Sequence, residues 1–91
     1  MSCPVHAVTV TETGEAYGGL ARLKGVYYVC TATAGSIVIR DGGASGTIRL
    51  NIATPAVASQ SDLMIPDDGI LHSDDMHVTL TNVTSCTLLY E

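Results

Sequence analysis

The side chains able to do chemistry in this chain are few and mostly carboxylates. Asp67-Asp68 and Asp74-Asp75 lie five to eight residues apart around a short apolar segment, so both pairs can gather at one end of a small domain. Loop carboxylates are what a calcium ion takes as ligands. Neither pair, however, has the alternating Asp spacing of a dedicated calcium loop. The expected role of these residues is therefore solvated turn chemistry or contact at an oligomer rim, with no metal bound. Asp41, Asp67 and Asp75 can also be drawn together as paired acids for glycoside cleavage, but so small a domain has little cleft in which to shift their pKa values apart. His6, His72 and His77 are scattered, and His72 and His77 fall across a turn instead of on one face, so they are expected to be exposed or at an interface and not zinc ligands. Ser36, Ser45, Ser59, Ser61, Ser73 and Ser85 fall in or beside turns without the Gly-x-Ser-x-Gly elbow that would activate one of them. Cys3, Cys30 and Cys86 are odd in number and unpaired in spacing, which fits neither a disulfide framework nor a structural zinc site. Cys30 and Cys86 lie in apolar runs and are expected to be small buried hydrophobes, with Cys3 exposed. No catalytic, cofactor or metal residue is assigned, and the chain is read as a non-enzyme.

The elements that must position these groups are strands. Ser36 to Asp41 and Thr47 to Ile52 alternate around a Gly-Gly-Ala-Ser-Gly connection, the strongest hairpin signal in the chain. Setting Ile39 opposite Ile48 places Ile37 opposite Leu50 and Gly35 opposite Ile52, which makes one side wholly apolar. Val5 to Thr11 reads as a strand at an edge, and Glu12 to Gly19 as a loop that lies over the sheet through Tyr17. Val26 to Thr31, β-branched and aromatic with apolar groups on both faces, reads as a central strand in which one of Tyr27 and Tyr28 packs inward. Ala53 to Ser61 reads as an extended connection, and Leu63 to Ile65 as a short strand stopped by Pro66. Ile70 and Leu71 return toward the core. Met76, Val78 and Leu80 alternate with His77, Thr79 and Thr81, and a three-residue turn would bring Leu80 against Leu88 and Val78 against Tyr90 in a last hairpin. About seven short strands, with no helical run and no crossover segment, predict a single all-β domain over 1–91: a small antiparallel sandwich or barrel, with 1–5 a flexible N-terminal segment.

Composition limits the partners. Only Arg22, Lys24, Arg40 and Arg49 are cationic in a chain of net charge −5, too few to neutralise phosphates, so no nucleic acid is expected. The longest uncharged run, Gly25 to Ile39, is too short and too polar to cross a bilayer, and no export signal opens the chain, so cytoplasmic synthesis without membrane contact is expected. The chain is 46% hydrophobic and 14% charged, against about 25% charged in a typical domain. With a folded surface of roughly 5,000 Å² expected from its mass, so sparse an ionic cover predicts burial against copies or partners.

The run Gly35-Ser36-Ile37-Val38-Ile39-Arg40-Asp41-Gly42-Gly43, then Ser45-Gly46-Thr47, Thr54-Pro55-Ala56, Ile65-Pro66, Gly69-Ile70, Val78 to Val83 and Leu88-Leu89-Tyr90, resembles small β-rich structural proteins of tailed bacteriophages. The likeness covers roughly residues 18–91, and Leu71-His72 departs from it where an aromatic residue would follow Gly-Ile. The resemblance implies a virion component, many copies of which sit on a capsid or tail. The reading taken is a capsid decoration or cement protein acting through contacts with itself, as a homo-oligomer guessed to be a trimer because phage surface proteins often adopt that symmetry, and with the major capsid or other virion proteins. The resemblance brings no catalytic residues. The alternatives are a tail or adaptor component and a carbohydrate-binding sandwich, the latter short of aromatic platforms because the only large aromatics are Tyr17, Tyr27, Tyr28 and Tyr90.

Overall fold

The computed structural model describes residues 5–66 and 69–91. Cys3, Asp67, Asp68 and the expected flexible segment up to residue 4 lie outside them. The described chain is all-β, with nine strands: β1 (His6–Val10), β2 (Gly14–Tyr17), β3 (Ala21–Cys30), β4 (Gly35–Asp41), β5 (Thr47–Thr54), β6 (Gln60–Met64), β7 (Ile70–His72), β8 (Met76–Thr81) and β9 (Val83–Tyr90). All pairings are antiparallel. One sheet has the order β1-β9-β3, with β6 and β7 successively against the far edge of β3; the other has the order β2-β8-β4-β5. Among the described residues no helix is long and apolar enough to cross a membrane.

Alternation explains which side chains meet between the sheets. Leu23, Val26, Cys86 and Leu88 from the first sheet and Ile37, Ile39, Met76 and Val78 from the second form one buried cluster. Each of the larger side chains contributes roughly 1.5–3 kcal/mol by leaving water. Cys30 and Cys86 are buried free thiols, as their apolar surroundings predict. Tyr28 packs against the cluster, whereas Tyr27 points away and is 40% exposed.

Four expectations are corrected. Ile39 stands opposite Leu50 and Ile37 opposite Ile52; an irregularity between Ile39 and Arg40 then sets Arg40 opposite Ile48. The apolar side of the hairpin is the one expected, but the register moves by two residues and Ile48 is turned outward. The segment after β1 is not only a loop: Gly14–Tyr17 is a strand that pairs β8. The central strand expected from Val26 already begins at Ala21, and the connection expected over Ala53 to Ser61 gives Ala53 and Thr54 to β5 and Gln60 and Ser61 to β6.

The last hairpin does not form. β8 pairs β2 and β4, whereas β9 pairs β1 and β3 in the opposite sheet. Asn82 makes the crossing in one residue with φ of 55°, a left-handed conformation that Asn tolerates better than most residues. Its side-chain amide donates to the Ala34 carbonyl at 3.0 Å, and its own carbonyl accepts the Thr31 hydroxyl at 3.0 Å. Gly35 lies so close beneath this crossing that a Cβ there would strike the Thr81 carbonyl.

Candidate interaction surface and the carboxylate corner

The loop after β4 and the loop between β7 and β8 meet at one end of the sandwich. The Asp41 carboxylate, buried at the end of β4, accepts the backbone N–H of Ser73 at 2.9 Å, Asp74 at 2.8 Å and Asp75 at 3.3 Å, and Arg49 approaches it at 3.4 Å. The Asp75 carboxylate answers by accepting the N–H of Gly42 at 2.9 Å and of Gly43 at 3.0 Å. Hydrogen bonds to the ionised form stabilise it. The Ser73 and Asp74 amides therefore hold the Asp41 carboxyl well below the usual range, and the Gly42 amide, with that of Gly43, lowers Asp75.

His72 is wholly buried beside this clasp, which corrects the expectation of an exposed or interface histidine. Its Nδ1–H donates to the Asp75 carbonyl at 3.1 Å, while among the described residues Nε2 has no partner. Burial pushes its pKa below the ordinary histidine value. His77 lies on β8, opposite Glu15 and Arg40, and His6 lies at the far edge of the other sheet. The three histidines are thus not brought together, and among the described residues no group of three metal-binding side chains forms. Asp41 and Asp75 do come together, as sequence spacing allowed, but their oxygens are directed at loop amides.

The sandwich is closed along its β1/β2 side by aromatic rings. Tyr90 packs against Tyr17 with centroids 4.8 Å apart and against His6 at 5.5 Å. Rings at such separations add roughly 0.5–1.5 kcal/mol beyond area burial. Across the molecule, β6 is exposed at all five positions. An open, mainly apolar cleft at the start of β3 is lined by Leu20, Ala21, Arg22, Leu71 and Glu91.

Both outer sheet faces are sparsely charged. On the four-stranded sheet one cross-strand row reads Glu15, His77, Arg40 and Ile48, and the rows Thr79, Val38 and Asn51 and Thr81, Ser36 and Ala53 carry no charge. On the five-stranded sheet the rows read Ala7, Leu89, Gly25 and Met64, then Thr9, Thr87, Tyr27 and Asp62, then Ser85, Val29 and Gln60. Asp62 is the single charge in those rows, and Arg22, exposed on β3 opposite Leu71, stands on the same face nearer the start of the strand. Thr9 and Thr87 share a hydroxyl hydrogen bond of 2.8 Å, and Met64 and Leu89 approach across Gly25. A flat face of this kind has no individual motif, and its signal in the sequence was only the shortage of charge. Comparison with known proteins finds no matching family model, no matching curated protein and no matching solved structure.

Proposed function

We propose that this chain is a non-enzymatic structural component of a phage virion, a capsid decoration or cement protein that stabilises the shell through contacts with itself and with the capsid protein. The observation that supports this reading is the outer face of the five-stranded sheet, where three rows across β1, β9, β3 and β6 hold Asp62 as their one charge, with Met64 and Tyr27 exposed on it. Rigid, weakly charged sheet surface suits burial against another protein, since interface cores are depleted in charge and enriched in Tyr and Met. The reading also accounts for the carboxylates most open to catalytic use: Asp41 and Asp75 fasten two loops to each other. Such a protein acts by adding buried area at many equivalent positions, and no chemical step is required.

A carbohydrate-binding role finds less support. Tyr17 and Tyr90 are stacked on each other and Tyr28 is packed inward, leaving Tyr27 alone on the broad face. The deciding experiment is co-sedimentation of the purified chain with empty shells of the virus that carries its gene, followed by heating of the loaded shells. Saturable binding at a fixed ratio and a raised disruption temperature are expected. Shells that neither retain the chain nor gain heat resistance overturn the proposal, and retention on tails alone moves it to the tail.

A further inference from the structure

The geometry points to the free edge of β1 as a site of strand addition, occupied by β1 of a second copy running antiparallel about Val8. This rests on the structural-component reading and deepens it by naming one surface and its partner.

An exposed strand edge invites pairing, and proteins blunt their edges with charges, bulges, prolines or brevity. Three of the four edges here carry such devices. β2 bears Glu15 and breaks register between Glu15 and Tyr17. β5 bears Arg49 at an irregularity in its pairing with β4. The β6/β7 edge bears Asp62 and is interrupted between Met64 and Ile70, with Pro66 in the gap. β1 has none of these. It pairs β9 through five consecutive residues without a register shift, and its sequence His-Ala-Val-Thr-Val holds no carboxylate, Lys, Arg or Pro. Among the described residues its backbone has hydrogen-bonding partners only in β9.

The occupant follows from what a two-fold axis would bring together. An antiparallel pair centred on Val8 sets Val8 against its copy, Ala7 against Thr9 and His6 against Val10. Every pair has both side chains on the same side of the joined sheet, and no like charges meet. The same operation about the middle of β6 would press Asp62 against Asp62. Joining two β1 edges also merges the two sparsely charged outer faces into one surface, in which the row Tyr27, Thr87 and Thr9 of one copy continues into Ala7, Leu89 and Gly25 of the next. An isologous edge contact yields a two-fold assembly in place of the guessed trimer. Five paired residues make a small interface, below the roughly 1,200 Å² of stable complexes, so the free dimer belongs in the micromolar class. Each copy carries net charge −5, so added salt tightens the pair by screening repulsion.

Sedimentation equilibrium of the full chain, from a few micromolar to a few hundred, tests this. The mass should rise toward twice that of the chain, and more readily at higher salt. Ala7→Lys, which places a cation on the exposed edge, should weaken dimerisation at least tenfold with an unchanged thermal midpoint. Thr9→Lys should do the same, and Ala53→Lys on β5 should leave the dimer intact. A monomer at every concentration, a threefold mass, or an Ala7→Lys protein that dimerises like the parent overturns the inference. A monomer whose Ala7→Lys variant loses shell binding also overturns it, and assigns the edge to a strand of the shell. Shell binding by a strict monomer sinks only this inference; a dimer that ignores shells sinks only the proposed function.

Discussion

Asp41 and Asp75 bind each other's loops reciprocally: Asp41 Oδ1 accepts the Asp75 N–H at 3.3 Å, while Asp75 Oδ1 accepts the N–H of Gly42, the residue after Asp41, at 2.9 Å. Two carboxylates that would repel if side by side are instead each surrounded by amide donors. Both have their pKa lowered on folding. Between the folded and unfolded values the unfolded chain binds more protons, so their contribution is fully present above about pH 4 and is lost as pH falls. Asp41→Asn, which sets an NH₂ or a neutral oxygen before three N–H donors, is expected to lower the thermal midpoint at pH 7 and flatten its dependence below pH 4. Melts of parent and variant from pH 2.5 to 7 check this, and parallel curves would refute the clasp.

His72 predicts a second window at higher pH. Its folded pKa lies below 6.5 because burial disfavours the cation, and among the described residues no acceptor pairs with Nε2. The neutral ring's contribution is therefore complete above pH 6.5 and declines as pH falls below that value. His72→Leu, close in volume but unable to titrate, should remove the decline below about pH 6.5. The readout is denaturant midpoint against pH; a slope in this window that survives the substitution would count against the buried neutral ring.

The hairpin register makes opposite predictions for two isoleucines. Ile39 is fully buried and Ile48 is 50% exposed. Ile39→Ala should cost about 2–5 kcal/mol, and Ile39→Asp should abolish the cooperative melt by burying an unpaired carboxylate. Ile48→Ala should cost less than about 1 kcal/mol. Equal losses from the two alanine variants in urea titrations would restore the register with Ile39 opposite Ile48.

The thiols report on the packing of β9. Burial pushes the Cys86 pKa up to about 11, and Cys30 is buried too. Thiolate is the reactive form, so in a Cys3→Ser background neither remaining cysteine should react with a thiol reagent until denaturant opens the fold. Rapid labelling of the native protein by mass spectrometry would contradict the burial of β9.

Alternation along the chain was enough to turn Ile37, Ile39, Met76, Val78, Cys86 and Leu88 inward, and all are buried, whereas it failed at Ile48. With the turn signals it was also enough to indicate an all-β domain. A period of two reports a face and carries no information about a neighbour. Val78 and Leu88 are both inward whether their strands lie side by side or across the core from one another, and only the crossing at Asn82 decided for the second arrangement. The bulge that turned Ile48 out, the stacking of Tyr17 on Tyr90 and the burial of His72 are likewise long-range outcomes. Asp41 shows the limit most plainly. In the chain it stands only at the start of a glycine-rich connection, yet the amides that hold it come from residues more than thirty positions away, brought there because two sheets must share one apolar interior.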